Sequence, residues 1–193
     1  MNTTVAPRKH TSLWLIACMI LAAAITRVLP HPPNFTPLGA MALFAGATYR
    51  DRRLALLVPL AALLLSDYLI GQVMGTGFGF YSSQIFVYAA FVMITLLGRV
   101  LTNHRRSPLR IVGMSLAVST LFFVVTNLGV WIASGMYPRT VAGFSQCFVQ
   151  AIPFFGNTVA GDLVYVTVLF GGLAFVESLT TETENVTSVN EEA

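Results

Sequence analysis

The chain has 193 residues, of which 55% are hydrophobic and only 10% are charged. Its mean hydropathy of +0.74 excludes an ordinary soluble fold and predicts an integral membrane protein of one domain. The net charge of +3 does not indicate nucleic-acid binding, because the basic residues fall in short clusters between apolar segments. Two cysteines, Cys18 and Cys147, are too few for a disulfide framework.

Six apolar segments are predicted as membrane helices, with about 20 residues per span as the yardstick and shorter spans allowed. In chain order they are residues 13–29, 38–49, 54–72, 84–101, 109–134 and 156–176. The first follows Arg8 and Lys9, as in a signal peptide, but lacks a small-residue cleavage site before a soluble domain, which predicts a retained signal-anchor helix. In the second, Ala42 and Gly46 are small residues four apart, a spacing that lets helices approach closely.

The breaks between these segments are marked by their composition. Prolines separate the first two segments, and a glycine-rich stretch at 71–79 predicts a flexible turn. Residues 135–155 contain several aromatic side chains and are bracketed by prolines, which predicts a connection at the membrane surface or over a cavity. We therefore divide the chain into a cytoplasmic N-terminus at 1–12, one transmembrane domain at 13–176 and a disordered acidic tail at 177–193.

The basic residues are strongly biased toward one side of the predicted bundle. With the N-terminus inside, nine lysines or arginines face the cytoplasm, and only Arg27 and Arg139 face outward. The nine are Arg8, Lys9, Arg50, Arg52, Arg53, Arg99, Arg105, Arg106 and Arg110. This bias predicts an all-α, polytopic membrane helix bundle with about six transmembrane helices and both termini in the cytoplasm.

Four polar residues, Arg27, Asp67, Asn127 and Asp162, lie inside or at the edges of the apolar segments. An ionisable group in hydrocarbon costs at least about 2–3 kcal/mol, so such residues indicate a functional site. The predicted topology places all four in the outer part of the bilayer, at a similar depth. Other polar or aromatic residues lie at the outer helix ends: Asn34, Gln72, Tyr81, Gln84, Trp131 and Asn157. Together they predict a pocket that opens to the outside.

Each of these residues also has a structural interpretation that the sequence leaves open. Arg27 near a helix end can snorkel to the interface. Asp67 and Asp162 can pair with Arg27 or cap backbone groups. Trp131 can belong to an aromatic belt, and Asn127 can bridge two helices. The shared depth of the residues, rather than any single one, therefore supports the pocket.

The sequence lacks the motifs of the common enzyme classes. It contains no His-Glu-x-x-His, no Gly-x-Ser-x-Gly, no phosphate-binding loop and no Cys-x-x-Cys. The three histidines fall at segment ends on both sides of the predicted membrane, which argues against a shared metal site. We therefore predict that the protein is not an enzyme and that it has no bound metal or cofactor.

Four stretches of the chain carry a resemblance to known proteins: Arg-Val-Leu-Pro-His-Pro-Pro-Asn-Phe-Thr-Pro-Leu-Gly-Ala at 27–40, Ser-Asp-Tyr-Leu-Ile-Gly at 66–71, Thr-Asn-Leu-Gly-Val-Trp at 126–131 and Gly-Asp-Leu-Val-Tyr-Val-Thr-Val-Leu-Phe-Gly at 161–171. The chain resembles an uncharacterised bacterial family of transport proteins over residues 13–177. That family is similar to the substrate-binding S components of energy-coupling factor transporters. Those proteins have six membrane helices and capture vitamins or metal ions from the outer side.

The resemblance implies a multi-pass protein of the bacterial inner membrane whose partners are the lipid bilayer, a small-molecule solute, and a transmembrane coupling subunit with two ATPases. Residues that match the family's motifs are Asn34, Asp67, Asn127, Trp131 and Asp162. Segment one lacks the Ala-x-x-x-Ala pattern with which many S components contact the coupling subunit, since Ala17 is followed by Leu21.

Our leading hypothesis is an S-component-like membrane protein that binds a small polar solute on the outer side and moves it inward. The residues assigned to its site are Arg27, Asn34, Asp67, Tyr81, Gln84, Asn127, Trp131, Asn157 and Asp162. The acids would contact hydrogen-bond donors or a cation, the arginine would balance their charge or bind an anion, and the aromatics would cover a ring. Two acids against one base favour a neutral or cationic solute. The alternative is a non-transporting scaffold or assembly protein, in which the polar residues lock helices and the basic inner loops hold a cytoplasmic partner.

Overall fold

The computed structural model describes residues 13–75, 80–101 and 107–191. These residues form six α-helices and one 3₁₀ turn, and no strand occurs among them. In chain order the elements are α1 (Leu13–Ile25), the 3₁₀ turn (Thr26–Val28), α2 (Leu38–Thr48), α3 (Arg52–Met74), α4 (Gln84–Gly98), α5 (Pro108–Ala133) and α6 (Val141–Glu191). The predicted N-terminus at 1–12, the turn residues 76–79, and Arg105 and Arg106 lie outside the described residues.

Each predicted apolar segment contains a helix, which confirms the all-helical class. Three helices of the described residues are long and apolar enough to cross a membrane: Arg52–Met74, Pro108–Ala133 and Val141–Leu179. The other apolar helices, Leu13–Val28, Leu38–Thr48 and Gln84–Gly98, have 10–17 residues. Length and composition therefore give three candidate spans, and the six-span bundle stays a prediction.

Helix α6 begins earlier than the sequence predicts. The predicted connection at 135–155 is wrong from Val141 onward, because α6 begins there and runs through Pro153. This early part of α6 packs on α5, where the ring centroids of Phe123 and Phe148 are 5.8 Å apart with the rings nearly perpendicular. Such aromatic pairs contribute about 0.5–1.5 kcal/mol beyond their buried area, and this tertiary packing favours helix where the prolines predict a break.

Helix α6 also ends later than the sequence predicts. It continues to Glu191, within the predicted tail at 177–193, and the disorder of that tail stays a prediction. The sequence contains no glycine or proline after Gly172. Because each added residue of a helix that has already nucleated contributes one more hydrogen bond, nothing in the composition terminates α6 before its acidic end.

Helix α2 lies at the centre of the fold. It packs against all five other helices, and its residues from Leu38 to Ala47 are all buried. Proline at position 37 begins this helix, and its 11 residues are mostly alanine, glycine, leucine, methionine and phenylalanine. Since no face of α2 is left polar or exposed, its two ends are where backbone groups need partners from other helices.

Side chains of opposite charge bind the two ends of α2. The carboxylate of Asp162, on α6, accepts a hydrogen bond from the amide of Ala40 at 2.9 Å in the first turn. At the other end the guanidinium of Arg99 donates to the carbonyls of Tyr49 and Arg50, at 3.5 and 3.2 Å. An anion at the N-terminus and a cation at the C-terminus both stabilise the helix macrodipole. The two charges therefore hold a short, buried helix in place.

Helices α2 and α4 approach each other through a pair of glycines. A Cβ on Gly46 would overlap the carbonyl oxygen of Thr95, and a Cβ on Gly98 would lie 2.5 Å from the carbonyl oxygen of Leu43. The backbones of the two helices thus touch directly, which is how small residues let membrane helices pack closely. Gly46 belongs to the small-residue pair predicted from the sequence, whereas Gly98 has no such spacing signal.

We expect Gly46→Ala to lower the free energy of unfolding by about 1–3 kcal/mol, because the added methyl group forces α2 and α4 apart. The measurement is thermal unfolding of the purified protein in detergent. Gly113→Ala is the matched control, since Gly113 lies inside α5 with no atom near its Cβ position. Gly113→Ala should leave the free energy of unfolding unchanged or raise it by up to about 1 kcal/mol. Equal effects of the two substitutions would contradict the close approach.

Candidate functional site

An ion pair between Arg27 and Asp67 forms the centre of the candidate site. Arg27 Nη1 lies 2.7 Å from Asp67 Oδ1, and the two side chains are 12% and 2% exposed. The same nitrogen donates a hydrogen bond to the hydroxyl of Ser66, which in turn donates to the carbonyl of Leu63 at 2.8 Å. A buried ion pair is costly unless its remaining hydrogen-bonding groups are satisfied. Two further side chains donate hydrogen bonds to the carboxylate of Asp67.

Helix α4 completes the hydrogen bonds of Asp67. Gln84 Nε2 donates to Asp67 Oδ2 at 2.6 Å, and the hydroxyl of Tyr88 donates to the same oxygen at 2.9 Å. Gln84 and Tyr88 are four residues apart, so both project from one face of α4. The ion-pair cluster, defined as Arg27, Ser66, Asp67, Gln84 and Tyr88, therefore joins three elements of the chain.

Local structure at the end of α1 and at the start of α4 positions the cluster. Arg27 lies in the 3₁₀ turn, where Thr26 Oγ1 donates to the carbonyl of Ala23 at 2.6 Å and accepts from the hydroxyl of Tyr165 at 2.8 Å. At the start of α4, the backbone amide of Gln84 donates to the carbonyl of Tyr81 at 2.9 Å. These bonds fix the direction in which the Arg27 and Gln84 side chains leave the backbone.

Tyr81 lies in the turn before α4 and is 46% exposed. Desolvation of its phenol, and then the Asp67 carboxylate, raise the pKa of Tyr81, while Arg27 lowers it. A raised pKa keeps the phenol protonated at neutral pH, since an unperturbed tyrosine already titrates near 10. Tyr81 is therefore a neutral hydrogen-bond donor beside the ion-pair cluster.

Asp162 has a different set of partners from Asp67. It accepts hydrogen bonds from the amides of Gly39 and Ala40 and from the hydroxyl of Ser119, the last at 2.7 Å. It is 1% exposed. A Cβ on Gly39 would lie 2.5 Å from Asp162 Oδ2, so only glycine allows the carboxylate to reach the start of α2. The sequence left open that Asp162 caps backbone groups, and its bonds to the amides of α2 agree with that role.

Four other residues predicted for the site lie elsewhere in the described part of the chain, and the side chains of three of them donate hydrogen bonds to backbone carbonyls there. The amide of Asn127 donates to the carbonyl of Phe123 on its own helix at 2.8 Å. Trp131 Nε1 donates to the carbonyl of Pro138 at 3.1 Å, and Asn157 Nδ2 donates to the carbonyl of Pro33 at 2.9 Å. Asn34 adopts a positive φ of 63°, which asparagine tolerates better than most residues. Of the four intramembrane polar residues, only Arg27 and Asp67 are brought together.

The comparisons with known proteins give one result. Residues 8–184, which are most of the chain, match the Family of unknown function (DUF6580). The chain belongs to this family. Searches of the curated proteins and of the solved structures find no match.

In this member of DUF6580, three buried side-chain atoms of the described residues have no hydrogen-bond partner: Arg27 Nε, Gln84 Oε1 and Ser115 Oγ. Two of them belong to the ion-pair cluster. An unsatisfied buried polar atom costs about 1–3 kcal/mol, and more when the group is charged. The cluster thus has one buried donor and one buried acceptor without a hydrogen-bond partner.

Four residues of these arrangements had no role in the predicted site. Ser66 accepts from Arg27, and Tyr88 donates to Asp67. Ser119 donates to Asp162, and Arg99 donates to the end of α2. Tyr88 could have been found from its spacing of four residues after Gln84. Ser119 and Arg99 offer no such signal, because their roles depend on where α2 lies. Within the described residues, no group of three His, Cys, Asp or Glu side chains is arranged to hold a metal ion.

Proposed function

We propose that this protein is a multi-pass protein of the bacterial inner membrane that binds a small polar solute at the ion-pair cluster and moves it inward. Three helices with the length and apolar composition of membrane spans support the location. The bias of basic residues toward one side of the predicted bundle supports an orientation in which Arg27 and Gln84 lie near the outer surface. The resemblance to S components adds a coupling subunit with ATPases as the proposed driving partner.

The observation that carries the proposal is the Arg27–Asp67 pair with two free polar atoms beside it. A buried ion pair is weak evidence for stability, because replacing it with apolar residues is often neutral or stabilising. In a chain as apolar as this one, such a pair is therefore better explained by binding than by folding. The incomplete hydrogen bonding of Arg27 and Gln84 favours a ligand over a closed structural contact.

A second candidate function is the non-transporting scaffold. The observation that favours it is the arrangement of Asp162 and Arg99, whose bonds are made to the ends of α2 within the chain. Polar residues used in this way lock helices and need no solute. The ion-pair cluster differs from them because it keeps a free donor and a free acceptor.

A thermal-stability screen of the purified protein against neutral, cationic and anionic solutes tests the proposal. A bound solute at about 100 times its dissociation constant should raise Tm by about 5–10 °C. Tyr88→Phe removes one hydrogen bond to Asp67 and should weaken binding of that solute about 10-fold or more.

The matched control is Tyr49→Phe. The Tyr49 hydroxyl donates a hydrogen bond to the carbonyl of Leu13 at 3.2 Å, at the end of α2 away from Asp162. This variant should bind the solute as the wild type does. If no solute raises Tm, the scaffold is favoured; equal weakening by the two substitutions would place binding outside the ion-pair cluster.

A further inference from the structure

Arginines collect where α2 ends and α3 begins. Three of the four residues from Arg50 to Arg53 are arginines, and the side chains of all three are exposed. Arg99, at the end of α4, lies beside them, because its guanidinium donates to the carbonyls of Tyr49 and Arg50. The basic patch, defined as Arg50, Arg52, Arg53 and Arg99, therefore combines residues from two separate parts of the chain.

The positive charge of the basic patch is not neutralised within the described part of the chain. Asp51 is the one acid among these residues, and its carboxylate accepts hydrogen bonds from the amides of Arg53 and Leu54. No carboxylate of the described residues forms an ion pair with an arginine of the patch. Four arginines against one aspartate leave a local charge of +3. The exposed guanidiniums are thus open to an anion from outside the chain.

The chemistry of the guanidinium and its place at a helix end narrow the kind of anion. Arginine presents a planar fork of donors that binds a phosphate through two hydrogen bonds. Basic residues next to membrane helices are attracted to the anionic headgroups of the inner leaflet. Both arguments favour the phosphate of a lipid headgroup as the partner of the basic patch.

An exposed apolar strip runs along α3 from the basic patch. Leu57 follows Arg53 by four residues, so it lies on the same face of the helix, and it is 62% exposed. Leu64 and Tyr68 continue this face, with exposed fractions of 47% and 56%. The α3 strip, defined as Leu57, Leu64 and Tyr68, is about 16 Å long, or about half of the hydrocarbon thickness of a bilayer. That length fits one acyl chain below a headgroup at the patch.

We propose that the basic patch and the α3 strip together bind an anionic phospholipid of the surrounding bilayer. The phosphate accepts hydrogen bonds from the exposed guanidiniums, and one acyl chain lies along the α3 strip. A soluble acidic protein would use the charges alone, so the apolar strip that continues from them favours a lipid. The proposal requires the membrane location but does not involve the ion-pair cluster, and it therefore stands or fails independently of solute binding.

Two lipids with the same acyl chains test the proposal on the full-length protein in a neutral detergent. We expect dioleoylphosphatidylglycerol to raise Tm, and dioleoylphosphatidylcholine to raise it much less because the arginines repel its choline group. The attraction acts between exposed charges, so the rise in Tm should shrink when NaCl is increased from about 50 to about 500 mM. Equal rises in Tm with the two lipids would overturn the proposal.

Substitutions within the basic patch test its position. Arg52→Gln should raise the half-saturating concentration of phosphatidylglycerol about 5-fold, and the double variant Arg52→Gln with Arg53→Gln about 30-fold. Both variants keep the backbone amides that bind Asp51. Arg139→Gln is the matched control, since Arg139 is also exposed but lies in the connection between α5 and α6. It should leave the half-saturating concentration unchanged. Equal weakening by Arg52→Gln and Arg139→Gln would contradict a site at the basic patch.

Two soluble anions distinguish a lipid from other occupants of the basic patch. Glycerol phosphate carries the phosphate without acyl chains, and polyglutamate represents an acidic protein surface. We expect neither to raise Tm at the concentration at which phosphatidylglycerol does. If glycerol phosphate is as effective, the α3 strip has no part in binding; if polyglutamate is as effective, a soluble acidic partner is favoured. Either result would overturn the lipid assignment and leave the proposal for the ion-pair cluster untouched.

Discussion

Replacing Arg27 with methionine should lower the free energy of unfolding by about 3–5 kcal/mol, because it leaves the Asp67 carboxylate buried without a counter-ion. The carboxylate side chain is 2% exposed, so water cannot take the place of the guanidinium. For a chain of this size the loss corresponds to a fall in Tm of about 6–20 °C. Thermal unfolding in detergent measures it.

The double variant Arg27→Met with Asp67→Leu should recover most of this loss. Removing both charges leaves no uncompensated ion, and apolar side chains of similar volume pack well in such positions. A double variant as unstable as Arg27→Met alone would mean that the pair itself stabilises the fold. That result would remove the main argument for a binding role of the ion-pair cluster.

Asp162→Ala should lower the free energy of unfolding by about 3 kcal/mol, because it leaves buried amides at the start of α2 without an acceptor. Those amides belong to Gly39 and Ala40. Because all five other helices pack on α2, the loss of stability should affect the whole protein. The variant should also unfold over the same range of temperatures as judged by helicity and by an aromatic probe, as a single cooperative unit would.

Asp51→Ala is the matched control for Asp162→Ala. Asp51 also accepts from two helix amides, those of Arg53 and Leu54 at 2.6 and 3.3 Å, but at the exposed start of α3. Water can replace it there, so the expected loss is about 1 kcal/mol. If the two alanine variants lose the same free energy of unfolding, the buried cap at Asp162 stabilises the protein no more than the exposed cap at Asp51.

Hydrophobic patterning was sufficient to predict the helices of this fold. The six apolar segments each contain a helix because a continuous apolar stretch bounded by proline or glycine has few other stable conformations. The beginning of α6 was not predictable, because Phe148 packs on Phe123 only when the two helices are assembled. Local composition favoured a break there, and tertiary packing determined the result.

The candidate site was predictable in its members but only partly in its arrangement. Depth along the predicted helices identified Arg27, Asp67 and Gln84 as neighbours, and they are joined by hydrogen bonds. Predicted depth also groups Asp162 with them, although Asp162 binds the start of α2. Depth gives only the position of a residue along the membrane normal. The partner of Asp162 depends on where α2 lies, and no spacing in the sequence encodes that position. The role of Gly39 follows from the same contact and was equally hidden.

We propose that the ion-pair cluster is a binding site and not a structural lock. The most direct measurement is a titration of a stabilising solute against the wild type and against the double variant Arg27→Met with Asp67→Leu, followed by Tm. We expect the double variant to be folded, with a Tm close to that of the wild type, and to show no response to the solute. If the solute raises the Tm of the double variant as much as that of the wild type, the solute does not bind at the ion-pair cluster.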